Sequence, residues 1–150
     1  MPLRQIYIVD DDPAAALITQ RGLQTMLGER FSVVVAPNPN AAWLACATGT
    51  VDLLMVDPNP HSNAVLSLLR AVHAFRPTIP VLVLTAYDTP GLRLKMRELG
   101  VVAYVAKPID LRELVPIVSE AVAAGRHAPA PAPTFGSSLT TLGLKLQPGK

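Results

Sequence analysis

Five polar residues in this sequence each follow or close a short apolar run, and together they could handle a phosphoryl group. Asp10 and Asp11 follow IYIV, Asp57 follows LLMV, Thr85 closes VLVLT, and Lys107 follows VVAYVA. Carboxylate oxygens are hard ligands that suit Mg²⁺, whereas a hydroxyl beside an ammonium suits an anion. Mg²⁺, a lysine and a threonine around an aspartate are what a transient aspartyl phosphate needs.

The apolar runs before these residues predict a parallel sheet that brings the five side chains together. Short runs rich in Val, Ile and Leu predict buried strands at 6–9, 31–36, 51–57, 81–85 and 101–106. A helical pattern follows each strand, and the uninterrupted apolar runs indicate that both sheet faces are covered. Right-handed crossovers then give an α/β fold, a doubly wound parallel sheet of five strands with helices on both faces. Such sheets bind ligands at the carboxyl ends of their strands.

Several residues have the types that begin or end helices. Asp12 is a good N-cap before Pro13, and Asn40 is a plausible cap for a short second helix. The sequence DLRE at 110–113 is a capping box that predicts a fifth helix to about residue 124, with Pro116 inside it. Helix-ending glycines are predicted at Gly28, Gly49 and Gly100.

Composition and charge argue against several classes of function. Half of the 150 residues are hydrophobic, and the one cysteine, Cys46, is expected to be buried and allows no internal disulfide. Residues 1–125 carry 10 basic and 11 acidic side chains, so the net charge of +2 comes from the last 25 residues. We therefore predict no direct binding of nucleic acid by the folded part. Without a signal-peptide pattern or a run of membrane-spanning length, we predict a cytoplasmic protein that does not bind membranes.

The chain divides into a folded part and a tail. Residues 1–124 carry all the predicted strands and helices and fit one domain of ordinary size. The segment AGRHAPAPAPTFGSS is rich in proline and alanine, and alternating proline favours an extended conformation. We interpret 125–150 as a linker with a short C-terminal tail and no recognisable output domain.

The order of the motifs resembles the receiver domain of bacterial two-component response regulators. The matching segments are YIVDDD, LLMVD, VLVLTA and YVAKP, and the resemblance covers about residues 3–124. Each motif alone is weak, but all of them occur in order and each lies at the end of a predicted strand. The resemblance implies a flavodoxin-like sheet with the strand order 2-1-3-4-5.

The resemblance also implies a phosphorylation site with a bound metal ion. Asp57 would be the phosphoacceptor. Asp10 and Asp11 would hold Mg²⁺, one directly and one through water, with Asp57 and the backbone carbonyl of Asn59 as further ligands. Asp12 is better explained as a helix cap than as a metal ligand.

Further residues acquire roles from the same resemblance. Thr85 would form a hydrogen bond with the phosphoryl group, and Lys107 would pair with it. Tyr104 occupies the position of the aromatic switch residue, which would rotate inward on activation. Pro108 matches a proline whose peptide bond is typically cis.

The implied function is a phosphoprotein switch in a phosphorelay, with no enzymatic activity beyond its own phosphotransfer and dephosphorylation. A sensor histidine kinase or a phosphotransfer protein would donate the phosphoryl group. The face formed by the fourth helix, fifth strand and fifth helix would then bind a downstream protein or a second copy of the chain. The segment RLKMR at 93–97 borders this face and is interpreted as a solvated helix surface.

One loop departs from the family pattern and supports an alternative function. Receivers usually carry a proline four residues and a glycine eight residues after the phosphoacceptor, where this chain has His61 and Val65. Its prolines, Pro58 and Pro60, lie one and three residues after Asp57 instead and stiffen the loop. The chain could therefore be a pseudo-receiver, an interaction module that is not phosphorylated.

A third alternative is a Mg²⁺-dependent phosphohydrolase of the haloacid-dehalogenase type. Asp10 and Asp12 supply the spacing of its two aspartates, and Thr85 and Lys107 supply its threonine and lysine. That reading leaves Asp57 without a role, and it lacks the further acidic residues and the cap domain usual in that family.

Overall fold

The computed structural model describes residues 2–59, 61–126 and 134–135, of which 126, 134 and 135 are described by their backbone alone. The strands are β1 (Arg4–Val9), β2 (Phe31–Val35), β3 (Leu53–Val56), β4 (Val81–Thr85), β5 (Ala103–Ala106) and β6 (Thr134–Phe135). The helices are α1 (Pro13–Leu27), α2 (Pro39–Ala47), α3 (Ala64–Phe75), α4 (Pro90–Glu98) and α5 (Leu111–Arg126). Strands and helices alternate through the first five units, as the apolar runs predict.

The strands form one parallel sheet in the order β2-β1-β3-β4-β5-β6. The predicted five-stranded order 2-1-3-4-5 is confirmed. The structure adds one element to it, because the two-residue β6 pairs with β5 where the sequence predicts only a linker. Two residues are too few to show a strand periodicity in the sequence, so β6 is recognised only by its pairing with β5.

Successive residues of the strands face opposite sides of the sheet and fill two separate cores. In β3, Leu54 and Val56 pack with the residues of α2, α3 and α4, whereas Leu53 and Met55 pack with α1 and α5. All four side chains are at most 2% exposed. Burial of each such side chain contributes roughly 1.5–3 kcal/mol, so this central strand is fixed from both faces and holds the residue after it in place.

Most of the predicted helix boundaries are confirmed, and one is wrong. Asp12 caps α1 by accepting hydrogen bonds from the backbone N–H groups of Ala14 and Ala15. The cap of α2 is Asn38, which accepts from the N–H of Ala41, so the predicted cap Asn40 lies inside the helix instead. The cap is Asn38 because the proline after it occupies the first helical position, where its fixed φ angle suits a helix. Positive φ angles are confirmed at Gly28, Gly49 and Gly100, which follow α1, α2 and α4.

The helix α1 lies against the start of α5, and a glycine permits this contact. A Cβ atom added at Gly22 would lie 2.2 Å from Leu111 Cδ1. The close approach places α1 beside the segment that joins β5 to α5. In α5, Pro116 lies inside the helix, as predicted, and Asp110 accepts a hydrogen bond from the backbone N–H of Arg112 at the helix start. None of the helices in the described ranges is long and apolar enough to cross a membrane.

Candidate functional site

The predicted site lies where β1, β3, β4 and β5 end, at one edge of the sheet. Asp10 and Asp57 directly follow β1 and β3, which pair in parallel with Val9 beside Val56. The backbone N–H of Asp57 donates to the carbonyl of Val9, at 3.0 Å. The parallel register therefore fixes the two carboxylates on neighbouring strand ends.

Lys107 joins the two carboxylates. It follows β5, and its Nζ donates hydrogen bonds to Asp57 Oδ2 at 2.9 Å and to Asp10 Oδ2 at 3.4 Å. The side chains of Asp10 and Asp57 are 7% and 12% exposed, against 23% for Lys107. Lys107 thus contributes a positive charge to a pocket that two largely buried carboxylates share.

The electrostatics of this cluster raise the pKa of Asp57. Burial raises the pKa of Asp57 above its ordinary value, and the hydrogen bond and charge of Lys107 oppose this shift only in part. The negative charge of Asp10 adds to the rise. Burial by itself lowers the pKa of Lys107, but its contacts with Asp57 and Asp10 outweigh burial, so the pKa is raised and the ammonium is retained.

One carboxylate oxygen of the cluster is unsatisfied. Asp57 Oδ1 is buried and has no hydrogen-bond partner among the described residues. An unpaired buried oxygen costs free energy, which a cation or a donated hydrogen bond would recover. The chemistry of the donor set, which is carboxylate and carbonyl oxygen, fits Mg²⁺.

The remaining predicted metal ligands contact each other. The side-chain amide Nδ2 of Asn59 donates to Asp11 Oδ2, and Asn59 Oδ1 accepts from the backbone N–H of His61, at 2.8 Å. Within the described ranges, no three His, Cys, Asp or Glu side chains are arranged as a metal site. Asp11 is therefore near the cluster but engaged with Asn59. The predicted constraint from Pro60 lies outside the described residues.

Thr85 ends β4 and is fully buried, with 0% of its surface exposed. Its Oγ1 accepts a hydrogen bond from the backbone N–H of Tyr87, at 3.0 Å. Its backbone carbonyl accepts from the N–H of Lys107, at 2.8 Å. A hydroxyl has one donor and two acceptor positions, so Thr85 can keep the bond to Tyr87 while donating to another group.

Tyr104 is fully buried in β5, and two residues that the sequence analysis missed hold it. Its hydroxyl donates to Asp88 Oδ1 at 3.0 Å, and the guanidinium of Arg93 lies over its ring, 4.9 Å from the ring centroid. Burial, followed by the hydrogen bond to Asp88, raises the pKa of Tyr104 far above its ordinary value. The predicted solvated surface at 93–97 is therefore wrong for Arg93, and it is also wrong for Met96, which is fully buried. An acid three residues after the strand-end threonine and an arginine five residues later were the available signal.

Several predicted residues lie in the positions expected from the sequence. Asp10, Asp57 and Lys107 are in direct contact, whereas Asp11 contacts Asn59. The Lys107–Pro108 peptide bond is cis, as the resemblance implies. Cys46 is buried, as predicted, and burial raises its pKa to about 11.

Comparisons with known proteins find matches to one family. The family model described as the response regulator receiver domain matches residues 6–119. The DNA-binding transcriptional regulator NtrC of Bradyrhizobium sp. is 32% identical over 124 residues, which cover 82% of this chain and 25% of that protein. The transcriptional regulatory protein ZraR of Klebsiella oxytoca is 30% identical over 126 residues, covering 84% of this chain and 28% of that protein. The chain thus spans about a quarter of the length of these curated relatives.

A solved structure gives the same result for the fold. The CheY-like response regulator receiver domain protein from Methanospirillum hungatei superimposes with a TM-score of 0.72 at 25% identity. The match covers 83% of this chain and 98% of that one. The likeness therefore extends over nearly all of a complete receiver domain.

Proposed function

Because this chain belongs to the response regulator receiver family, we propose that it is a phosphorylation-dependent signalling switch with Asp57 as its phosphoacceptor. The observation that carries the proposal is the contact of Lys107 Nζ with Asp57 Oδ2, at 2.9 Å, beside the unpaired Asp57 Oδ1. A histidine kinase or a phosphotransfer protein would be the phosphoryl donor. The bond from phosphorus to the donor histidine nitrogen breaks as a bond to an Asp57 oxygen forms, and the histidine nitrogen regains a proton.

The residues around Asp57 have distinct tasks in this proposal. Lys107 holds Asp57 ionised against the effect of burial and then pairs with the phosphoryl oxygens. The Thr85 hydroxyl donates to the phosphoryl group while still accepting from the backbone of Tyr87. Lys107 already contacts Asp57, and Thr85 ends β4, the strand that pairs with β3.

The proposed metal ligands are Asp10, Asp11, Asp57 and the backbone carbonyl of Asn59. Mg²⁺ at this site would neutralise the charge that develops on the transferring phosphoryl group. The Asn59 side chain donates to Asp11 Oδ2, so an ion that binds this oxygen would displace the amide. Binding of the metal is therefore expected to rearrange the loop after β3.

An apolar cleft beside Lys107 is the proposed docking surface for the phosphoryl donor. It has a volume of about 310 Å³ and is lined mainly by α1 and the start of α5, with Ile18, Leu111 and Leu114 among its residues. Ile18 is 69% exposed, and the adjacent Leu17 is 44% exposed. A donor must bring its phosphohistidine to Asp57, and this cleft is an apolar surface next to that site.

The proposed output surface is the face of α4, β5 and α5, which would bind a downstream protein or a second copy of the chain. Leu94 on α4 and Tyr87 before it are about half exposed, at 54% and 49%. The backbone of β6 pairs with Ala103 and Tyr104 at the edge of the same face. The tail segment and a partner would therefore meet at β5.

Beryllofluoride with Mg²⁺, which mimics the phosphoryl group, provides the test. We expect amide NMR shifts around Asp57, Thr85 and Tyr104, with no such shifts in Asp57→Asn. Mg²⁺ alone should shift Asp11 and Asn59 as their side chains separate. If the wild-type spectrum stays unchanged in the presence of both reagents, the phosphorylation switch is refuted.

The pseudo-receiver remains a second candidate, because one observation favours it. Asp11 is engaged by Asn59, and within the described ranges no set of three acidic or imidazole groups forms a metal site. Under this alternative, neither Mg²⁺ nor beryllofluoride changes the spectrum, although the fold and the partner face persist. The phosphohydrolase alternative has less support, because Asp12 caps α1 instead of facing a substrate.

A further inference from the structure

The loop between β4 and α4 carries a cluster that the proposed phosphorylation chemistry does not use. Asp88 accepts three hydrogen bonds, from Arg93 Nε at 2.8 Å, from Arg93 Nη2 at 2.9 Å and from the Tyr104 hydroxyl at 3.0 Å. Arg93 in turn covers the Tyr104 ring, 4.9 Å from its centroid. We name these three residues the Asp88 clamp.

The clamp makes the buried orientation of Tyr104 favourable. A phenol hydroxyl that loses water and finds no acceptor costs free energy on burial. Tyr104 is 0% exposed, and Asp88 supplies an acceptor for its hydroxyl. Because the acceptor is an ionised carboxylate, the hydrogen bond is stronger than one between neutral groups.

Arg93 gives Asp88 a fixed orientation. The guanidinium donates from two nitrogens to the two carboxylate oxygens, and such a paired contact restricts rotation of both side chains. Arg93 itself belongs to the first half of α4, and the Thr89 hydroxyl caps that helix by accepting from the backbone N–H of Leu92. The position of the α4 N-terminus and the orientation of Tyr104 are therefore linked through Asp88.

The same loop is also joined to the phosphorylation site. Tyr87, the residue before Asp88, donates its backbone N–H to Thr85 Oγ1 at 3.0 Å. A movement of Thr85 toward Asp57 would pull on Tyr87 and then on Asp88. The loop therefore contacts Thr85 through Tyr87 and contacts Tyr104 through Asp88.

We propose that Asp88, fixed by Arg93, is the positioning residue that keeps Tyr104 buried while Asp57 carries no phosphoryl group. The clamp then sets how much of the population keeps the buried orientation of Tyr104. The regulatory consequence, that Asp57 phosphorylation acts on the partner face through this clamp, rests on the proposed function. The positioning itself does not.

The test measures the exposure of Tyr104 in the unphosphorylated protein without Mg²⁺. The full chain is labelled with 3-fluorotyrosine, and Tyr104→Phe identifies the Tyr104 signal among the three tyrosines. The change of the ¹⁹F shift between H₂O and D₂O then reports how much of the signal comes from exposed rings. Asp88→Asn preserves the size of the side chain and removes its charge. Asp110→Asn is the matched control, because Asp110 forms another aspartate–arginine pair, at 3.0 Å from Arg112, on the surface.

We expect Asp88→Asn to lower the ratio of buried to exposed Tyr104 about tenfold, as expected for losing a hydrogen bond to a charged acceptor. Arg93→Gln should shift the ratio in the same direction by a smaller factor, because Asp88 can still accept from Tyr104. Asp110→Asn should leave the ratio unchanged. If Tyr104 stays as buried in Asp88→Asn as in Asp110→Asn, the clamp proposal is overturned.

The clamp and the phosphorylation switch fail in different experiments. Exposure of Tyr104 in Asp88→Asn supports the clamp even if beryllofluoride leaves the wild-type spectrum unchanged. A normal beryllofluoride response at Asp57, with Tyr104 unaffected by Asp88→Asn, supports the switch and refutes the clamp. In Asp88→Asn, beryllofluoride should still shift the amide of Asp57 while the shifts in α4 become smaller.

Discussion

The cluster around Asp57 and the clamp around Asp88 hold their carboxylates in opposite ways. Burial raises the pKa of Asp57 despite Lys107, and one of its oxygens has no partner within the described residues. The hydrogen bond from Arg93 lowers the pKa of Asp88, whose two oxygens both accept hydrogen bonds. Asp57 is about one-eighth exposed and Asp88 about one-third exposed, at 12% and 32%.

This difference fits the proposed roles, which are a reactive carboxylate at Asp57 and a structural one at Asp88. A group that must form a new bond cannot have all its oxygens committed to the fold, so some stability is lost at such a site. A group that positions others works best when every oxygen is occupied and its charge is matched. The aspartate whose environment is unfavourable is therefore the candidate for chemistry, and the satisfied one is the candidate for positioning.

Removal of the lysine charge should have the largest effect on stability. Lys107→Met leaves the carboxylates of Asp57 and Asp10 without their shared cation, and we expect the free energy of unfolding at pH 7 to fall by about 2 kcal/mol. Partial exposure of Lys107 and uptake of a proton by the carboxylates keep the loss below that of a fully buried pair. Urea denaturation provides the measurement, with Arg112→Gln in the exposed pair as the control. A loss no larger than that of the control would contradict the coupling described for the Asp57 cluster.

A smaller loss is expected at the clamp. Asp88→Asn should lower the free energy of unfolding at pH 7 by about 1 kcal/mol, because solvent screens part of the pair. The pKa of Asp88 is lowered in the folded state, so its contribution is complete above the ordinary value of 3.8 and is lost as the pH falls through the folded value. Urea midpoints of the wild type and the variant should therefore converge below about pH 4. A difference that persists unchanged in acid would show that the charge of Asp88 is not what stabilises the loop.

The smallest effect should have the opposite sign. Asp57→Asn removes a buried charge while Lys107 keeps Asp10, and we expect stability at pH 7 to rise by up to about 1 kcal/mol. The pKa of Asp57 is raised in the folded state, so its stabilising contribution is complete below the ordinary value of 3.8 and is lost as the pH rises through the folded value. The advantage of the variant in urea denaturation should therefore shrink toward pH 4. If Asp57→Asn is less stable than the wild type at pH 7, the attraction of Lys107 for the Asp57 carboxylate exceeds the cost of burying its charge. Asp57 would then be stabilised by its partner, as Asp88 is.

The strand ends could be predicted because they depend on short-range patterns. Apolar runs of four to six residues locate the strands, and the polar residue that follows each run must then lie at an edge of a parallel sheet. The placement of Asp10, Asp57 and Lys107 followed from that rule without knowledge of any contact. The position of the α2 cap was missed because Asn38 and Asn40 both precede helix-forming residues. Pro39 suits the first helical position, and this signal favours Asn38 as the cap.

The sequence by itself determined the α/β order and which polar residues lie at the carboxyl edge of the sheet, since hydrophobic periodicity and capping signals are local. Only the tertiary structure decided which hydrogen-bond partners Asp57 and Asp88 have. Lys107 and Asp10 are 97 residues apart, and Tyr104 and Asp88 are 16 apart, so neither contact leaves a periodic pattern in the chain. Hydrogen bonding and burial depend on distances in space, and they made Asp57 the unsatisfied carboxylate and Asp88 the satisfied one.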